Sequence, residues 1–419
     1  MLLRVPRTRR SAYICGAAAL LGLSVAPSAA AGTTGSPTAA AASQAPAFTV
    51  VSAPDPDPSV DGVTAVAFTA VSAASATDAL AVGPNPTEDS TQGPFADHWN
   101  GTSWQGMAVP VPSGGNATLE GVADVAPGNG WAVGYTNNPD ATTGNTDSTL
   151  IEHWNGSGWS IVPSPDPISG QGAYDELDAI AAVSPTDIWA AGDELSSNGG
   201  GISPLFEHYN GSTWTAVSAP NAGGGFALGL VAISSTDVWM VGTTTQAPIS
   251  AHWNGTSWTA VATPAVNAGP NPVEFLTGVT ALSSTDVWAS GYVANVDNEN
   301  MLEPIMLNWT GSAWKTVTVP NPGSEGTRLN GITSTGKDVF AVGTTQEENG
   351  SLLTLVEEFN GSSWATVPSP DPGQNGTLTD NVLTSAASAG GVVWAVGALN
   401  QAGQCCDLPL SMDATVPAS

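Results

Sequence analysis

The sequence predicts an all-β fold made of seven copies of one four-stranded unit, and three observations support this. All 15 tryptophans fall at three positions of a unit that recurs about every 50 residues. A glycine closes a D-V-W-A-V-G-like hexamer seven times, at Gly83, Gly134, Gly192, Gly242, Gly291, Gly343 and Gly397. The apolar runs are short and strand-like, and no helical hydrophobic period follows the N-terminal segment. Four short antiparallel strands per unit, repeated around an axis, form a β-propeller.

Residues 278–319 illustrate the four strands predicted for each unit. A β-rich run at 278–282 is followed by an S-S-T-D turn at 283–286, whose side chains can bond nearby backbone amides. The second strand, 287–290, ends at Gly291, and a loop precedes the third strand at 305–309. A T-G turn then leads into the fourth strand at 313–317. In other units this turn is Asn-Gly between apolar runs, which strongly indicates a hairpin because both residues tolerate positive φ.

The two ends of the chain predict how the seventh unit is completed. The sequence from Ala47 to Pro56 matches that from Ser363 to Pro372, with Phe48 where other units carry a fourth-strand Trp. We therefore expect an N-terminal strand to close the ring as the outer strand of the seventh blade. The alternative is that residues 414–416 complete that blade.

The repeat resembles a known family. The order D-V-W-A-V-G, loop, I-E-H-W-N-G-S-x-W, x-V-P resembles the kelch and galactose-oxidase-type propeller repeat, with one glycine where kelch repeats usually have two. It is also similar to repeats of secreted actinobacterial propellers of unassigned role. The resemblance covers the chain from about residue 47. It implies a propeller and no particular activity, because one fold hosts many functions.

The N-terminal segment predicts export. Four arginines precede an apolar stretch from Ala12 to Val25, and alanines at 29–31 suit cleavage. We assign residues 1–31 to a secretory signal peptide, 32–46 to a flexible Ala/Ser/Thr/Gly linker and 47–419 to the propeller. The protein is therefore expected to be extracellular.

The charge balance limits the partners. Beyond the signal peptide only Lys315, Arg328 and Lys337 oppose 36 acidic residues. Such a surface repels nucleic acid and anionic lipid, which are bound chiefly through Lys and Arg. No later segment approaches the roughly 20 apolar residues of a membrane span. We expect a monomer with a protein or glycan partner, and no cofactor except, as one alternative to simple solubility, calcium bound by acidic loops.

The repeated polar residues are predicted to be structural. His98, His153, His208 and His252 all precede the third-strand aromatic, so they lie on different blades and cannot converge on one metal ion. The turn aspartates are expected to accept bonds from the amides that follow them; they are Asp78, Asp187, Asp237, Asp286 and Asp338. The adjacent Cys405 and Cys406 form neither a disulfide framework nor a CxxC metal motif.

No catalytic residues are predicted. A sialidase would imply three clustered arginines, and a copper radical oxidase a Tyr–Cys link with clustered histidines; this chain has neither set. G-x-S-x-G and H-E-x-x-H motifs are also missing. The enzymatic alternative is an extracellular hydrolase or lactonase that uses carboxylates, with or without calcium, in the central channel.

The long connections, between strands two and three and between blades, are predicted to share one end of the ring and to bind the partner. They are residues 84–94, 135–149, 163–176, 193–204, 292–304 and 344–353. The candidate ligand-binding residues are Tyr135, Asp140, Asp147, Tyr174, Asp175, Asp193, Glu194, Tyr292, Asp297 and Glu299. The favoured function is a secreted, non-catalytic propeller that binds a partner protein or an extracellular glycan through this long-loop end.

Overall fold

The computed structural model describes most of the chain from residue 46 onward. The described residues are 46–54, 66–86, 92–112, 116–138, 146–167, 174–195, 201–218, 224–244, 246–266, 272–295, 298–372, 380–400 and 407–416. Within these ranges the protein is all-β, as predicted, with strands joined by turns and short irregular segments. No helix in the described ranges is long and apolar enough to cross a membrane. The predicted signal peptide and residues 32–45 of the predicted linker lie outside the described residues.

The described strands fall into consecutive sets of four, called units one to seven. Unit one contains β2 (Ala70–Ser75), β3 (Asp78–Pro86), β4 (Gln92–Trp99) and β5 (Trp104–Met107). Unit two contains β6 (Asn116–Ala126), β7 (Asn129–Asn138), β8 (Thr146–Trp154) and β9 (Trp159–Val162). Unit three contains β10 (Tyr174–Ser184), β11 (Asp187–Leu195), β12 (Ile202–Tyr209) and β13 (Trp214–Ala216). Unit four contains β14 (Phe226–Ser234), β15 (Asp237–Thr243), β16 (Pro248–Trp253) and β17 (Trp258–Val261).

The remaining units follow the same order. Unit five contains β18 (Pro272–Ser283), β19 (Asp286–Asn295), β20 (Asn298–Trp309) and β21 (Trp314–Thr316). Unit six contains β22 (Gly326–Thr335), β23 (Asp338–Gln346), β24 (Leu352–Phe359) and β25 (Trp364–Val367). Unit seven contains β26 (Asp380–Ala389), β27 (Val392–Asn400), β28 (Asp407–Thr415) and, from the other end of the chain, β1 (Thr49–Val51). Successive strands within each unit pair antiparallel.

The N-terminal strand is the fourth strand of unit seven. Thr49 pairs with Asp413 and Val51 with Ser411, so β1 lies along β28. Residues 407–415 form the third strand, which excludes the alternative in which residues 414–416 supply the fourth. Phe48 is buried in the cluster that includes Phe340 of unit six. It therefore packs where other units place a fourth-strand Trp.

Tryptophan packing joins neighbouring units. The second-strand indole of Trp189 in unit three lies 4.8 Å from Trp253 and 5.4 Å from Trp258, the third- and fourth-strand aromatics of unit four. Comparable contacts join units two to three, four to five and five to six. Trp189 is almost completely buried. These rings fill the space between units, as the repeat predicted.

The first strands contact one another from unit to unit. They form the series β2, β6, β10, β14, β18, β22 and β26, and the last of these also contacts the first. Single parallel bridges join β8 to β10, β20 to β22 and β24 to β26. This arrangement places the first strands innermost and the fourth strands outermost.

The hexamer glycine lies inside the second strand and does not end it, which corrects the sequence expectation. Opposite Gly242, the first strand carries a bulge between Ala227 and Gly229. A Cβ on Gly242 would lie 1.9 Å from the carbonyl oxygen of Phe226. The other six hexamer glycines meet the equivalent oxygen at 1.8–2.1 Å. Only glycine lets the first strand approach this closely, and pairing then continues beyond it.

Replacing this glycine should destabilise the fold. We expect Gly242→Ala to lower the free energy of unfolding by about 2–3 kcal/mol, because the methyl group forces the bulged backbone away. Gly158→Ala is the matched control, since a Cβ there meets nothing within 4 Å. Urea denaturation followed by tryptophan fluorescence measures both variants. Equal stabilities of the two variants would contradict this account of the hexamer.

Candidate functional site

Several predicted ligand-binding residues come together at the long-loop end of units two and three. Tyr174 pairs with Asp147 across the only bridge between these units that the described register contains. Asp175 pairs with Glu194 on the neighbouring strand. Tyr135 lies on β7, beside the β8 strand that carries Asp147. These residues belong to paired strand ends, so the connections are shorter than the sequence predicted.

Glu176, the last residue of the predicted 163–176 connection, lies at the centre of this group. It pairs with Asp193 on β11, and its carboxyl group is hydrogen-bonded to that of Asp147. Burial raises the pKa of Glu176 well above its usual range, and the charges of Asp193, Asp178 and Asp147 act in the same direction. Glu176 therefore keeps its proton at neutral pH and donates it to the hydrogen bond. Asn137 Nδ2 donates to the Oδ1 of Asp147.

Tyr135 is part of the same electrostatic environment. Burial raises the pKa of its phenol, and the charges of Glu120 and Glu176 raise it further. The hydroxyl group therefore stays protonated. We call Asp147, Asp175, Glu176, Asp193 and Tyr135 the acidic cluster.

Units two and three depart from the repeat at the bulged residue of the first strand. In units one, five and seven this residue is a threonine whose hydroxyl donates to a carbonyl of the next unit, as Thr277 does to Leu329 at 3.0 Å. In unit six, Asn330 Nδ2 donates to Leu383 at 2.7 Å. Units two and three instead carry Glu120 and Asp178 at the bulge, and unit four carries Leu228.

The remaining predicted site residues do not join the acidic cluster in the described structure. Tyr292 belongs to unit five, where its ring stacks on Phe275 at 5.0 Å. Glu299 lies on β20, and its side chain is outside the described part. Asp140 and Asp297 lie outside the described residues, as do Cys405 and Cys406.

The described residues contain no group of three or more His, Cys, Asp or Glu side chains placed to hold a metal ion. The four histidines lie on separate units, and each binds a residue of its own unit's first turn. His98, His208 and His252 bond through Nε2 to the turn aspartate at 2.6–2.8 Å, and His153 to Asn129 at 2.8 Å. Calcium binding stays a prediction.

The turn aspartates thus have a partner that the sequence analysis missed. Asp187 bonds to the His208 ring, whereas the turn amide of Thr186 is bonded by Ser184 Oγ at 3.3 Å. The bond from the turn amide is therefore accepted by the serine two residues before it, and the aspartate bonds to the imidazole instead of having the role expected for it. The same serine contact occurs in units one, four and five. The repeated His and Asp form one structural pair.

Comparisons with known proteins identify the fold. No family model matches the chain, and no curated protein sequence matches it. A protein of unknown function from Dyadobacter fermentans aligns over 89% of this chain and 99% of its own, with a TM-score of 0.50 at 11% identity. YCF48 bound to D1 peptide aligns over 88% and 98%, with a TM-score of 0.47 at 13% identity.

A third solved structure has a named architecture. The six-bladed β-propeller lectin of Aleuria aurantia, described for its fucose recognition, aligns over 75% of this chain and 99% of its own. Its TM-score is 0.45 at 16% identity. Likenesses at such low identity indicate the fold alone. The propeller architecture of this chain follows from its own repeated four-stranded antiparallel units, whose first strands contact one another in series.

Four buried carboxyl groups also escaped the sequence analysis. Asp97, Glu152, Glu207 and Glu357 each directly precede the residue before the third-strand aromatic. Both carboxyl oxygens of Glu152 and of Glu207 are buried without a hydrogen-bonding partner in the protein. Burial raises the pKa of Glu152 to about 8 and, with the charges of Asp166 and Asp175, that of Glu207 to about 9. These groups are therefore largely neutral inside the folded units near pH 7.

This buried acid position fills space above a small residue of the second strand. Glu152 faces Ala132, and in unit five the same position holds Leu307 opposite Ala289. In unit four the sizes are reversed, with Ala251 opposite Met240. An apolar side chain therefore fits where Glu152 stands. The sequence signal for this position is the two-residue alternation of a strand, because Leu150, Glu152 and Trp154 lie on one face of β8.

The buried acids should make stability fall as pH rises. Below pH 4.5 Glu152 is protonated in both states, whereas between about 4.5 and 8 only the folded state keeps the proton. Unfolding free energy then falls by about 1.4 kcal/mol per pH unit for each such group. We expect Glu152→Leu to flatten this dependence and to raise stability at pH 9. Urea denaturation at pH 5, 7 and 9 measures the pH dependence of the unfolding free energy, with the exposed Glu348→Leu as control. An unchanged pH dependence in Glu152→Leu would contradict a buried, protonated Glu152.

Proposed function

We propose that the seven units form a closed seven-bladed β-propeller of the kelch and galactose-oxidase type. Contacts between units seven and one support closure. The Phe68 amide donates to Gly397 at 3.1 Å, and Thr384 Oγ1 donates to the Phe68 carbonyl at 2.7 Å. Further out, Trp104 Nε1 donates to Ser411 Oγ at 3.0 Å. Residues more than 300 positions apart in the sequence are thus joined at the first, second and third strands of unit seven.

We propose further that the protein is exported by its N-terminal signal as a monomer and acts as a non-catalytic binding protein. It recognises an extracellular partner protein through the acidic cluster at the long-loop end. One observation carries this proposal: the bulge positions of units two and three hold the acids Glu120 and Asp178, where units one, five and seven hold a threonine. These are the two units whose strand ends supply the acidic cluster.

The charge of the cluster favours a partner with a lysine- or arginine-rich segment. At this end of the units Asp175 and Asp193 are buried, whereas the bulge acids Glu120 and Asp178 are partly exposed. Oriented carboxylates on a rigid sheet attract cations and speed their association at low ionic strength. A neutral glycan gains only short-range hydrogen bonds from these carboxylates and no long-range attraction. The protein class is therefore favoured over the glycan class at this end.

Neutralising the bulge acids should weaken binding. The protein is first applied to an array of extracellular proteins and glycans, and the strongest ligand is measured by surface plasmon resonance. We expect the double variant Glu120→Gln, Asp178→Asn, which changes the partly exposed bulge acids beside the cluster, to raise its Kd at least about tenfold, because two charge-assisted contacts of about 1 kcal/mol each are lost. Raising the salt concentration should weaken wild-type binding as well.

The matched control is the double variant Glu347→Gln, Glu348→Gln, which removes the same charge from the long-loop end of unit six. It should bind as the wild type does. Thermal denaturation of both variants shows whether they are folded. Equal affinities of the two double variants, or no protein ligand on the array, would reject the proposal.

A second candidate function rests on Glu176 and Asp147. A protonated carboxyl group hydrogen-bonded to another carboxyl group is a pairing that general acid–base hydrolysis uses. In this alternative Glu176 donates a proton to the leaving group of an ester or lactone, and Asp147 orients the attacking water. Glu176 comes from a first strand, next to the central axis, and Asp147 comes from the end of the third strand that bridges to it.

Hydrolysis tests this alternative directly. The protein is incubated with aryl esters and with γ- and δ-lactones, and proton release is followed. If the pair is catalytic, we expect turnover that Glu176→Gln lowers at least about 100-fold and Glu347→Gln leaves unchanged. Turnover that survives Glu176→Gln would exclude the pair, and no turnover on any compound would leave the binding role.

A further inference from the structure

At the end of the fold opposite the acidic cluster, a histidine ring covers the second-strand Trp in three consecutive units. The imidazoles of His153, His208 and His252 lie 4.3–4.5 Å from the indoles of Trp131, Trp189 and Trp239. Each imidazole also bonds the first-turn Asp or Asn of its unit. The ring thereby closes the space between the indole and the short turns.

Unit five has Asn308 at this position. Its Nδ2 donates to Asp286 Oδ1 at 2.7 Å, so the bond to the turn is kept. The amide has no ring to cover Trp288. A cleft of about 600 Å³ lies at this place, between unit five and unit six. Its lining residues are Ser283, Thr285, Asp286, Trp288, Asn308, Thr310, Phe359 and Gly361.

The cleft combines the half-buried Phe359 ring with several polar groups, and Trp288 at its floor is 5% exposed. Phe359 is half-buried and lies 4.8 Å from Trp288, with which it forms the apolar wall between the units. The hydroxyls of Ser283, Thr285 and Thr310 belong to exposed residues at the rim. An aromatic wall offers a flat apolar surface, and a small number of convergent polar groups fix a ligand's orientation.

These groups match one chemical class. A pyranose has an apolar face of C–H groups that can lie on Phe359, and a rim of hydroxyls that both donate and accept. The Asp286 carboxylate and the Asn308 amide oxygen accept hydrogen bonds, and the rim hydroxyls serve both roles. Asp286 is the charged group of the lining and the Lys337 side chain lies against Gly361 at its edge, so the two opposite charges favour a neutral ligand. The cleft volume lies within the usual range of small-molecule sites, about 300–1,000 Å³.

We propose that the cleft between units five and six binds a neutral pyranose sugar. Asp286 and Asn308 bind its hydroxyl groups, and Phe359 stacks against its ring. The site lies on the side of the short turns, whereas the acidic cluster lies on the long-loop side. A glycan and a partner protein can therefore be bound at the same time, and this site does not depend on the function proposed for the acidic cluster.

Unit four provides the matched comparison for this site. Ser234, Thr236, Asp237 and Trp239 stand at the positions of Ser283, Thr285, Asp286 and Trp288, with Trp309 in place of Phe359. The main difference is His252 in place of Asn308. Exchanging these two residues should therefore move the site.

The probes are the methyl α- and β-pyranosides of glucose, galactose, mannose and N-acetylglucosamine, and binding is measured by ligand-observed NMR and isothermal titration calorimetry. The wild-type protein should bind at least one of them at a single site. Asn308→His should raise the Kd at least about tenfold, since the imidazole occupies the cleft. His252→Asn should add a second site, so that the stoichiometry rises from one to two.

Phe359→Leu is the second loss variant, which keeps an apolar side chain at the wall but removes the ring. Thermal denaturation accompanies every titration, and a loss variant counts only when it is folded. Binding of none of the pyranosides would overturn the proposal. So would wild-type affinity in folded Asn308→His or Phe359→Leu, or a single site in folded His252→Asn.

Discussion

The fold depends on the packing of aromatic rings between neighbouring four-stranded units. Trp189 is 1% exposed because its own unit supplies the ring and the next unit supplies both covering aromatics, Trp253 and Trp258. A single unit cannot bury this indole, so each unit is stable only beside its neighbour. The same dependence fixes the repeat length and the positions of all the tryptophans. Loops at either end can then vary, because they contribute little to this packing.

Much of this fold could be predicted from residues whose positions report local geometry. Alternating apolar runs located the strands, Asn-Gly located the hairpin, and Phe48 located the strand that completes unit seven. Strand lengths were underestimated because Gly242 was interpreted as a strand end. Its actual role depends on how closely the Phe226 carbonyl approaches, and that distance comes from a bulge in another strand. Such non-local contacts are not visible in a single repeat.

The candidate sites, like the fold, were predictable where local sequence decides and not where contacts between strands decide. Loop variation pointed to the acidic residues of units two and three, including the 163–176 connection that contains Glu176, but not to the pairing of Glu176 with Asp193 on another strand. The His–Asp pairs required the third strand to lie beside the first turn. The cleft of unit five arises where a ring is missing, and a motif search detects what is present. Comparison of the repeats position by position would have singled out Asn308.

The pairing of β1 with β28 places the two ends of the fold side by side in one sheet. Thr49 Oγ1 donates to the Asp413 carboxylate at 3.0 Å, although the two residues stand at opposite ends of the chain. A short linker could therefore join these ends, and new termini could be opened at any other connection between units. The protein is thus suited to circular permutation. Each permutant would begin in a different unit and keep the same set of neighbours.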